Sequence, residues 1–527
     1  MSLISETFIA FMLLLLGAYF VIPKRFQWVC LLFFSVVFYA ATSWKNCIFI
    51  FITAFSAYLC TLEMYKIQKQ TKAYIKENKK TLTKEERSLY KKKQNSLCKT
   101  IMVVTLLLNI GFLCLFKYSD FALEQIHAVF PDSRLPMGLN LIAPLGISFY
   151  TFQTIGYVVD VYWEKVEPQK NFAKMLLFVS FFPQVTQGPI SEYSQLAPQL
   201  FGEHSFSYKN FSYGIQRMMW GFFKKMVIAD RAASFVQTAF EQYASMNGNN
   251  VLFAAFLYSL QIYADFSGYM DIVCGLCEIL GIQLTENFER PYFSKSVAEY
   301  WRRWHSSLGS WFKKYIYYPV AISKFAMKCS SNGTKVFGKK VGNTIGASIA
   351  LIVVWFTTGF WHGASWAYFA WGGLNGIAII FTLWMEPVYD KLKHLCKVNE
   401  AGFAWRAFAT IRTFIIVTFI KVFPEVGNFQ DGVGYWIHCF QNWNLANLNL
   451  PALLYPIVSV EDARILAVGA VLMFIVSLLQ RKMGVRDRIA KWPKVIKYII
   501  FAAMFFAIAI WGIPTQNGGG GFLYEQF

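Results

Sequence analysis

The sequence predicts an all-α polytopic membrane protein, and three observations predict it. Apolar residues make up 56% of the 527 and aromatic residues 18%, while charged residues are only 15%. Windows approaching the roughly 20 apolar residues of a membrane-crossing helix recur along the chain. Lysine and arginine gather between those windows, as they do in cytoplasmic loops. A soluble domain of this size carries more charge and fewer long apolar runs. In a soluble protein the net charge of +20 would point to nucleic acid. Here basic loops account for it, and the lipid bilayer, not nucleic acid, is the expected partner. The same charge would also draw an anionic, phosphate-bearing cosubstrate to the cytoplasmic face.

About eleven spans are expected, beginning with Phe8 to Ile22, Trp28 to Ala41 and Cys47 to Leu62. The first lacks a cleavage site and reads as a retained helix. Residues 63–99 are Lys-rich and read as a basic cytoplasmic loop, either helical and lying on anionic lipid or a solvated charged hairpin. Further spans follow at Ile101 to Phe116, Tyr213 to Ala233, Val251 to Leu280, Ile345 to Phe360, Ala367 to Trp384, Phe408 to Val422, Leu466 to Leu479 and Val495 to Ile513. The segment from Pro144 to Trp163 is apolar but dotted with Gly, Ser, Thr and Gln, so it is expected to pack against protein or line a cavity. Phe181 to Ile190 is too broken to span and reads as a re-entrant turn buried in protein. Residues 1–513 thus form a single membrane-embedded domain, with residues 287–376 as its centre. Residues 514–527 form a tail that the basic loops place outside the plasma membrane. The ten cysteines are scattered through apolar runs; Cys274 and Cys277 have no second pair at zinc spacing, and no metal site is expected.

Two histidines stand apart. Trp301, Trp304, Leu308, Trp311, Phe312 and Tyr315 recur at helical spacing, so Glu299 onward reads as one amphipathic helix with His305 at the margin of its apolar face. His362 ends the apolar run from Ile345, and the glycine after it is expected to leave the imidazole open to close approach. A buried histidine at membrane depth is usually functional. The residues leave the alternatives open: His305 as an interfacial residue beside head-group contacts Arg302 and Arg303, and His362 as a helix end bonded to a free carbonyl. His127, His204, His394 and His438 read as surface residues. Asp265 and Asp271 lie six apart in one apolar run, each at a cost of about 2.5–3.5 kcal/mol at mid-bilayer. They are expected to pair with Arg290, Arg302 or Arg303 and to serve structure, not proton transfer. The basic loops put His305 on the cytoplasmic side and His362 across a span from it. The tail carries four glycines, a flexible tether, then Phe522, Tyr524 and Phe527. It reads as a plug presenting a hydroxyl or as an interfacial aromatic anchor.

Four stretches together resemble the membrane-bound O-acyltransferase (MBOAT) family, in its bacterial branch that includes alginate O-acetyltransferase and the teichoic-acid D-alanyl transfer protein. They are FFPQVTQGPI (181–190), YADFSGYMDI (263–272), NFERPYFSKSVAEYWRRWHSSLGSWFKKYIYYPV (287–320) and GFWHGASWAYFAWGGLNG (359–376). The YIYYPV ending looks more like the polysaccharide O-acetyltransferase side. The resemblance implies a ring of membrane helices around a central tunnel, open to an acyl thioester inside and an acceptor outside. It matches His362 to the family's catalytic histidine and His305 to a second functional one. FLYEQF resembles the family's F-x-Y-x-x-F tail, whose tyrosine is proposed to carry the acyl group outward, here Tyr524 with Phe522 and Phe527. It implies no bound cofactor, acetyl-CoA as cosubstrate, an extracytoplasmic glycan as acceptor and an SGNH/Ser-hydrolase-like partner protein. Gln187 departs from the family, where a small apolar residue is common.

The chemistry expected is acyl transfer to a hydroxyl, with His362 as general base and His305 orienting the thioester or stabilising the oxyanion. Arg302, Arg303 and Lys313 are candidates for the phosphates of coenzyme A; snorkelling to lipid accounts for Lys313 equally well. Asn375 either bonds within the tunnel or packs helices. D-alanyl transfer to teichoic acid is the alternative within the class. A membrane transporter is the alternative outside it, although no internal repeat supports one.

Overall fold

The computed structural model describes residues 3–42, 44–444, 448, 453–454, 457–481, 483–513 and 521–523. Among them the chain is helical, and the only β pairing is an isolated antiparallel bridge between Phe288 and Trp304. Among the described residues nine helices are long and apolar enough to cross a membrane. They coincide with nine of the eleven expected spans. Of the other two, the first expected span forms a shorter apolar helix of 16 residues, α1 (Glu6–Val21). The one expected near Tyr213 to Ala233 is not continuous α-helix, for a reason given below.

Two compact units make up the fold: Met1–Ser212 with Leu276–Thr285, and Tyr213–Gly275 with Glu286–Phe527. In the first, α2 (Gln27–Thr42), α3 (Cys47–Glu77) and α4 (Lys84–Val129) follow α1. The basic segment 63–99 forms a helical hairpin. Lysine and glutamate are good helix formers, so α3 and α4 run on through it and turn only at residues 78–83. Thr83 starts α4 with a capping box: its hydroxyl accepts from the Glu86 amide, and its own amide donates to the Glu86 carboxylate at 2.8 Å. The Tyr74 and Tyr90 rings close the hairpin at 4.5 Å.

Next, α5 (Ile147–Tyr162) is buried almost throughout, as its small polar residues lead one to expect. It starts at Gly146, whose φ of +66° and 1.7 Å separation between an added Cβ and the Val185 carbonyl oxygen admit only glycine. After α6 (Phe172–Ser180), the one-turn α7 (Phe182–Val185) leads into a fully buried bend, residues 181–190. Glutamines satisfy carbonyls that broken backbone would leave bare: Gln153 Nε2 donates to Phe178 O at 3.1 Å, and Gln184 Nε2 to Pro189 O at 2.9 Å. Then comes α8 (Tyr193–Leu200).

The second unit takes its frame from the long helix α11 (Gly248–Ile279). Ahead of it come α9 (Tyr208–Phe222), a π-helical turn at Phe223–Ala229 and α10 (Asp230–Glu241). Gly221 and Gly268 let two backbones touch: a Cβ on Gly221 would stand 2.6 Å from the Gly268 carbonyl oxygen. The short helices α12 (Val297–Arg303), α13 (Ser306–Phe312) and α14 (Tyr318–Ala321) lead to α15 (Lys324–Phe337). After them come α16 (Lys339–His362), α17 (Trp366–Leu395), α18 (Phe403–Lys421), α19 (Phe429–His438), α20 (Val460–Leu479), α21 (Val485–Ile489) and α22 (Lys494–Trp511). α16 and α17 meet closely through Gly359 and Gly372, whose added Cβ atoms would lie 2.6 Å from the carbonyl oxygens of Tyr368 and Trp355.

Candidate functional site

Of the six histidines, only His305 and His362 are buried, at 2% and 5% exposure. His394 is exposed. The other three, expected at the surface, are half-buried and bonded to carbonyls: His127 to Leu135, His204 to Gln199 and His438 to Met246.

The single helix expected from Glu299 breaks at His305. Ser296 caps α12 by accepting from the Glu299 amide, and Arg303 pairs with Glu299 at 2.6 Å. Helical pairing then fails because a neighbouring extended segment competes for it. Residues 286–289 run antiparallel beside 303–307: Glu289 N donates to Arg303 O at 3.0 Å, and Ser306 N to Asn287 O at 3.1 Å. The Asn287 side chain accepts from Ser307 N at 3.0 Å. Trp304 becomes extended and bridges Phe288. His305 takes φ +46°, ψ +51°, a left-handed conformation that costs a non-glycine residue about 1–3 kcal/mol. Its ring lies edge-on to Phe266 at 5.0 Å and tilted to Trp361 at 6.5 Å.

His362 is the last residue of α16, with Trp361 at 4.8 Å and Trp371 at 4.7 Å between ring centroids. The Tyr368 ring lies near-parallel to it, 12° off at 6.4 Å. Gly363 has a different purpose from the one the sequence suggested. A Cβ there would stand 2.1 Å from Tyr368 Cδ2, so the glycine makes room for Tyr368. Trp301 completes the group, with Trp355 at 5.0 Å and Trp371 at 5.4 Å. Its Nε1 donates to Asn375 Oδ1 at 2.9 Å, so Asn375 pins α12 to α17. Both histidines thus stand on one aromatic cluster. Trp361 bounds the separation of their ring centroids at about 11 Å, the sum of its two distances. That is well short of the roughly 30 Å hydrocarbon layer, so the placement of His362 across a span from His305 is corrected.

The carboxylates Asp265 and Asp271 do not pair with Arg290, Arg302 or Arg303. Their partners come from α9 and the π-turn. Asp271 receives Arg217 Nε at 2.9 Å and Lys224 Nζ at 2.7 Å, and Arg217 continues to Glu286 at 2.6 Å. Lys225 bridges Asp265 at 2.8 Å and Asp230 at 2.7 Å. The π-turn that replaces the expected span carries both lysines, and such turns are frequent at functional sites.

Lys225 and Asp265 also hold the tail. Lys225 Nζ donates to Gly521 O at 3.2 Å, and Leu523 N donates to Asp265 Oδ2 at 2.9 Å. Phe522 between them is fully buried, edge-on to Tyr269 at 5.1 Å and beneath the Lys225 ammonium at 4.7 Å. Asp265, which seats the tail, is followed on α11 by Phe266, which packs against His305. Tyr524 and Phe527 lie outside the described residues.

Of the proposed donor contacts, Arg303 is engaged by Glu299, whereas Arg302 and Lys313 are exposed, with the Lys313 ammonium 5.7 Å from the Tyr318 ring. Gln187 is fully buried, with neither amide atom hydrogen-bonded among the described residues. Sequence reasoning missed Arg217, Lys224 and Lys225 as partners; two lysines and an arginine upstream of two buried aspartates were a charge-balance signal. It missed Lys421 altogether.

The family model for MBOAT, the membrane-bound O-acyltransferase family, matches residues 31–338, which takes in the His305 turn. The chain belongs to this family. Relatives of this MBOAT member include the probable alginate O-acetylase AlgI of Pseudomonas aeruginosa, 30% identical over 66% of this chain and 62% of that protein. The peptidoglycan O-acetyltransferase of Helicobacter pylori is 33% identical over 53% of the chain and 54% of that protein. The teichoic acid D-alanyltransferase of Streptococcus thermophilus is 28% identical over 46% of the chain and 57% of that protein. The chain spans somewhat over three fifths of the length of the alginate relatives it matches. Family and apolar helices together make it a multi-pass membrane protein.

Proposed function

We propose that this protein transfers an acetyl group from a cytoplasmic thioester, acetyl-CoA, across the plasma membrane to a hydroxyl, for O-acylation of an extracytoplasmic cell-envelope polysaccharide. One observation carries the reading. The two buried histidines share an aromatic cluster, and one of them packs against the residue next to the tail's seat. A hydroxyl is a poor nucleophile at neutral pH, and a positioned histidine base accelerates its attack by roughly 10²–10⁴-fold. In this reading the Tyr524 oxygen attacks the thioester carbonyl as His362 takes the phenol proton. The C–S bond breaks, the proton passes to the leaving thiolate, and a tyrosyl ester remains. A hydroxyl then attacks that ester, with transfer to the glycan completed by an SGNH/Ser-hydrolase-like partner. His305 steadies the oxyanion. Arg302 and Lys313 meet the phosphates of the donor. The distribution of basic residues favours a tail on the outer side.

The acetylase relatives match at higher identity and over more of the chain than the D-alanyltransferase, which favours acetyl over D-alanyl. The test is the intact mass of the C-terminal peptide from protein purified out of cells. An acetyl adduct on Tyr524 is expected in wild type and absent in His362→Ala. Asp265→Asn, which weakens the acceptor for Leu523 N, should lower the adduct while leaving the protein inserted. A bare Tyr524 in wild type would remove the relay and leave direct transfer to the glycan.

A further inference from the structure

Lys421 is the last residue of α18 and is 6% exposed. No carboxylate lies within ion-pair distance of it among the described residues. A buried ammonium without a counter-ion pays heavily in desolvation, and a methionine would fill the same space without that cost. Aromatic faces take the place of the counter-ion. The ammonium lies 4.1 Å from the ring centroid of Trp304, 4.8 Å from Tyr292 and 5.2 Å from Tyr300, and donates to the Tyr292 hydroxyl at 2.8 Å. Attraction between a cation and a π face is strongest over tryptophan and grows when both are desolvated.

The closest of the three rings belongs to the residue before His305. Trp304 is 2% exposed and packs edge-on to Phe288 at 5.0 Å and stacked on Tyr300 at 5.6 Å. Its backbone is the extended link between α12 and the left-handed His305. A left-handed non-glycine residue persists only where its surroundings over-determine it. Three devices fix this turn. The hydrogen bonds of residues 286–289 hold the backbone, the Trp304 ring anchors one side, and Phe266 packs the imidazole. The first is ordinary backbone hydrogen bonding and the third ordinary packing. The second carries a charge that packing does not need.

We propose that Lys421 is a positioning residue for His305. Its ammonium fixes the plane of Trp304 and so the direction in which the following imidazole points. The inference rests on the reading that His305 takes part in acyl transfer. The cation acts through ring orientation, so it should govern turnover more than substrate affinity.

The experiment measures free thiol released from acetyl-CoA by the purified full chain, over a blank without protein, with hydroxylamine present to take the acetyl group off Tyr524 as the hydroxamate so that turnover continues, and with thermal unfolding in detergent alongside. Lys421→Met should unfold at or above the wild-type temperature, since it removes a buried charge. Its turnover should fall on the order of 10- to 100-fold, the effect of a small misplacement of a reacting group, with KM for acetyl-CoA unchanged. Lys421→Arg, which keeps a cation over the rings, should restore most of it. In a His305→Ala background, Lys421→Met should cost nothing more, because residues acting through one another are not additive. An equal further loss in that background would overturn the proposal, as would wild-type turnover in Lys421→Met or unfolding well below wild type. His305→Ala with full turnover would instead sink the reading of His305 itself, and the positioning role with it.

Discussion

His362 ends a helix of 24 residues, whereas His305 sits in a break between two helices of seven residues each. The first owes its place to the regular hydrogen bonding of α16 and to the close α16–α17 contact through Gly359 and Gly372. The second owes its place to contacts that its own segment cannot supply: the backbone of residues 286–289, the Asn287 side chain and the rings around Trp304. A helix end is a stiff mount, because displacing it means moving the whole helix. A strained turn is a soft one, since each support is a separate interaction of a kilocalorie or so. The comparison predicts that the histidines differ less in what their own removal does than in how they respond to changes elsewhere.

The largest effect expected is loss of the His362 imidazole. His362→Ala should lower turnover by roughly 10²–10⁴-fold, the range for removing a general base. Its unfolding in detergent should stay near wild type, because the helix that carries the position remains. A protein that loses insertion or unfolds early would make His362 a structural residue and erase the contrast.

Next come changes that touch neither histidine. Asn287→Ala removes the acceptor of the Ser307 amide at 3.0 Å and loosens the His305 turn. We expect on the order of 10- to 100-fold less turnover, as for a small displacement of a reacting group. Thr358→Val, one turn before His362, removes a hydroxyl that bonds only back to Val354 O of its own helix at 2.7 Å. It should change turnover by less than about twofold, since Val354 O keeps its backbone partner in the helix and the bond lost, worth about 0.5–1.5 kcal/mol, does not bear on the position of the imidazole. Equal losses from the two variants would mean that the mounts do not differ.

The same contrast explains what the sequence could show. Nine spans were legible because run length and hydropathy are local properties. The break at His305 was not, because Trp301, Trp304 and Leu308 keep helical spacing straight through it. What ends the helix is residues 286–289, whose pairing no periodicity reveals. The interrupted span near Lys224 failed for a similar reason, as its two lysines answer Asp265 and Asp271 some forty residues on. The aspartates were expected to be paired, and they are, but their partners were sought among the arginines of the central stretch. Lys421 drew no reading at all, because the aromatic rings that surround its ammonium come from a segment far upstream. His362 was the more legible histidine, though the reason for Gly363 emerged only with Tyr368 in place.

Glycines give a smaller and more local version of the test. Gly363→Ala would drive a methyl to 2.1 Å from the Tyr368 ring, which stacks on His362. Overpacking of that kind costs about 1–3 kcal/mol, and the Tyr368 ring must leave the imidazole. Gly309→Ala, inside α13, meets only the Trp301 carbonyl oxygen at 3.4 Å. Alanine there should be neutral or stabilising by up to about 1 kcal/mol. Thermal unfolding of the two variants side by side reads the difference. A destabilised Gly309→Ala would mean that α13 moves more than its contacts indicate.

The smallest effect separates the backbone of His305 from its side chain. His305→Ala and His305→Gly both delete the imidazole, so both should lose the same turnover. They differ in φ. Alanine at +46° keeps the steric conflict between Cβ and the backbone, which glycine lacks. Relief of that conflict favours His305→Gly by about 1–2 kcal/mol. Glycine also gives the unfolded chain more freedom, which works the other way by about 0.4–1 kcal/mol, so His305→Gly should remain the more stable of the two. The sign thus reports whether the turn is strained enough to outweigh that freedom. At His362, which is helical, the corresponding pair should reverse, with alanine more stable by about 1 kcal/mol. Opposite signs at the two positions, read from detergent unfolding, would establish the turn as the strained mount. Like signs would mean that the left-handed residue is relaxed by its neighbours and that both histidines are held with equal ease.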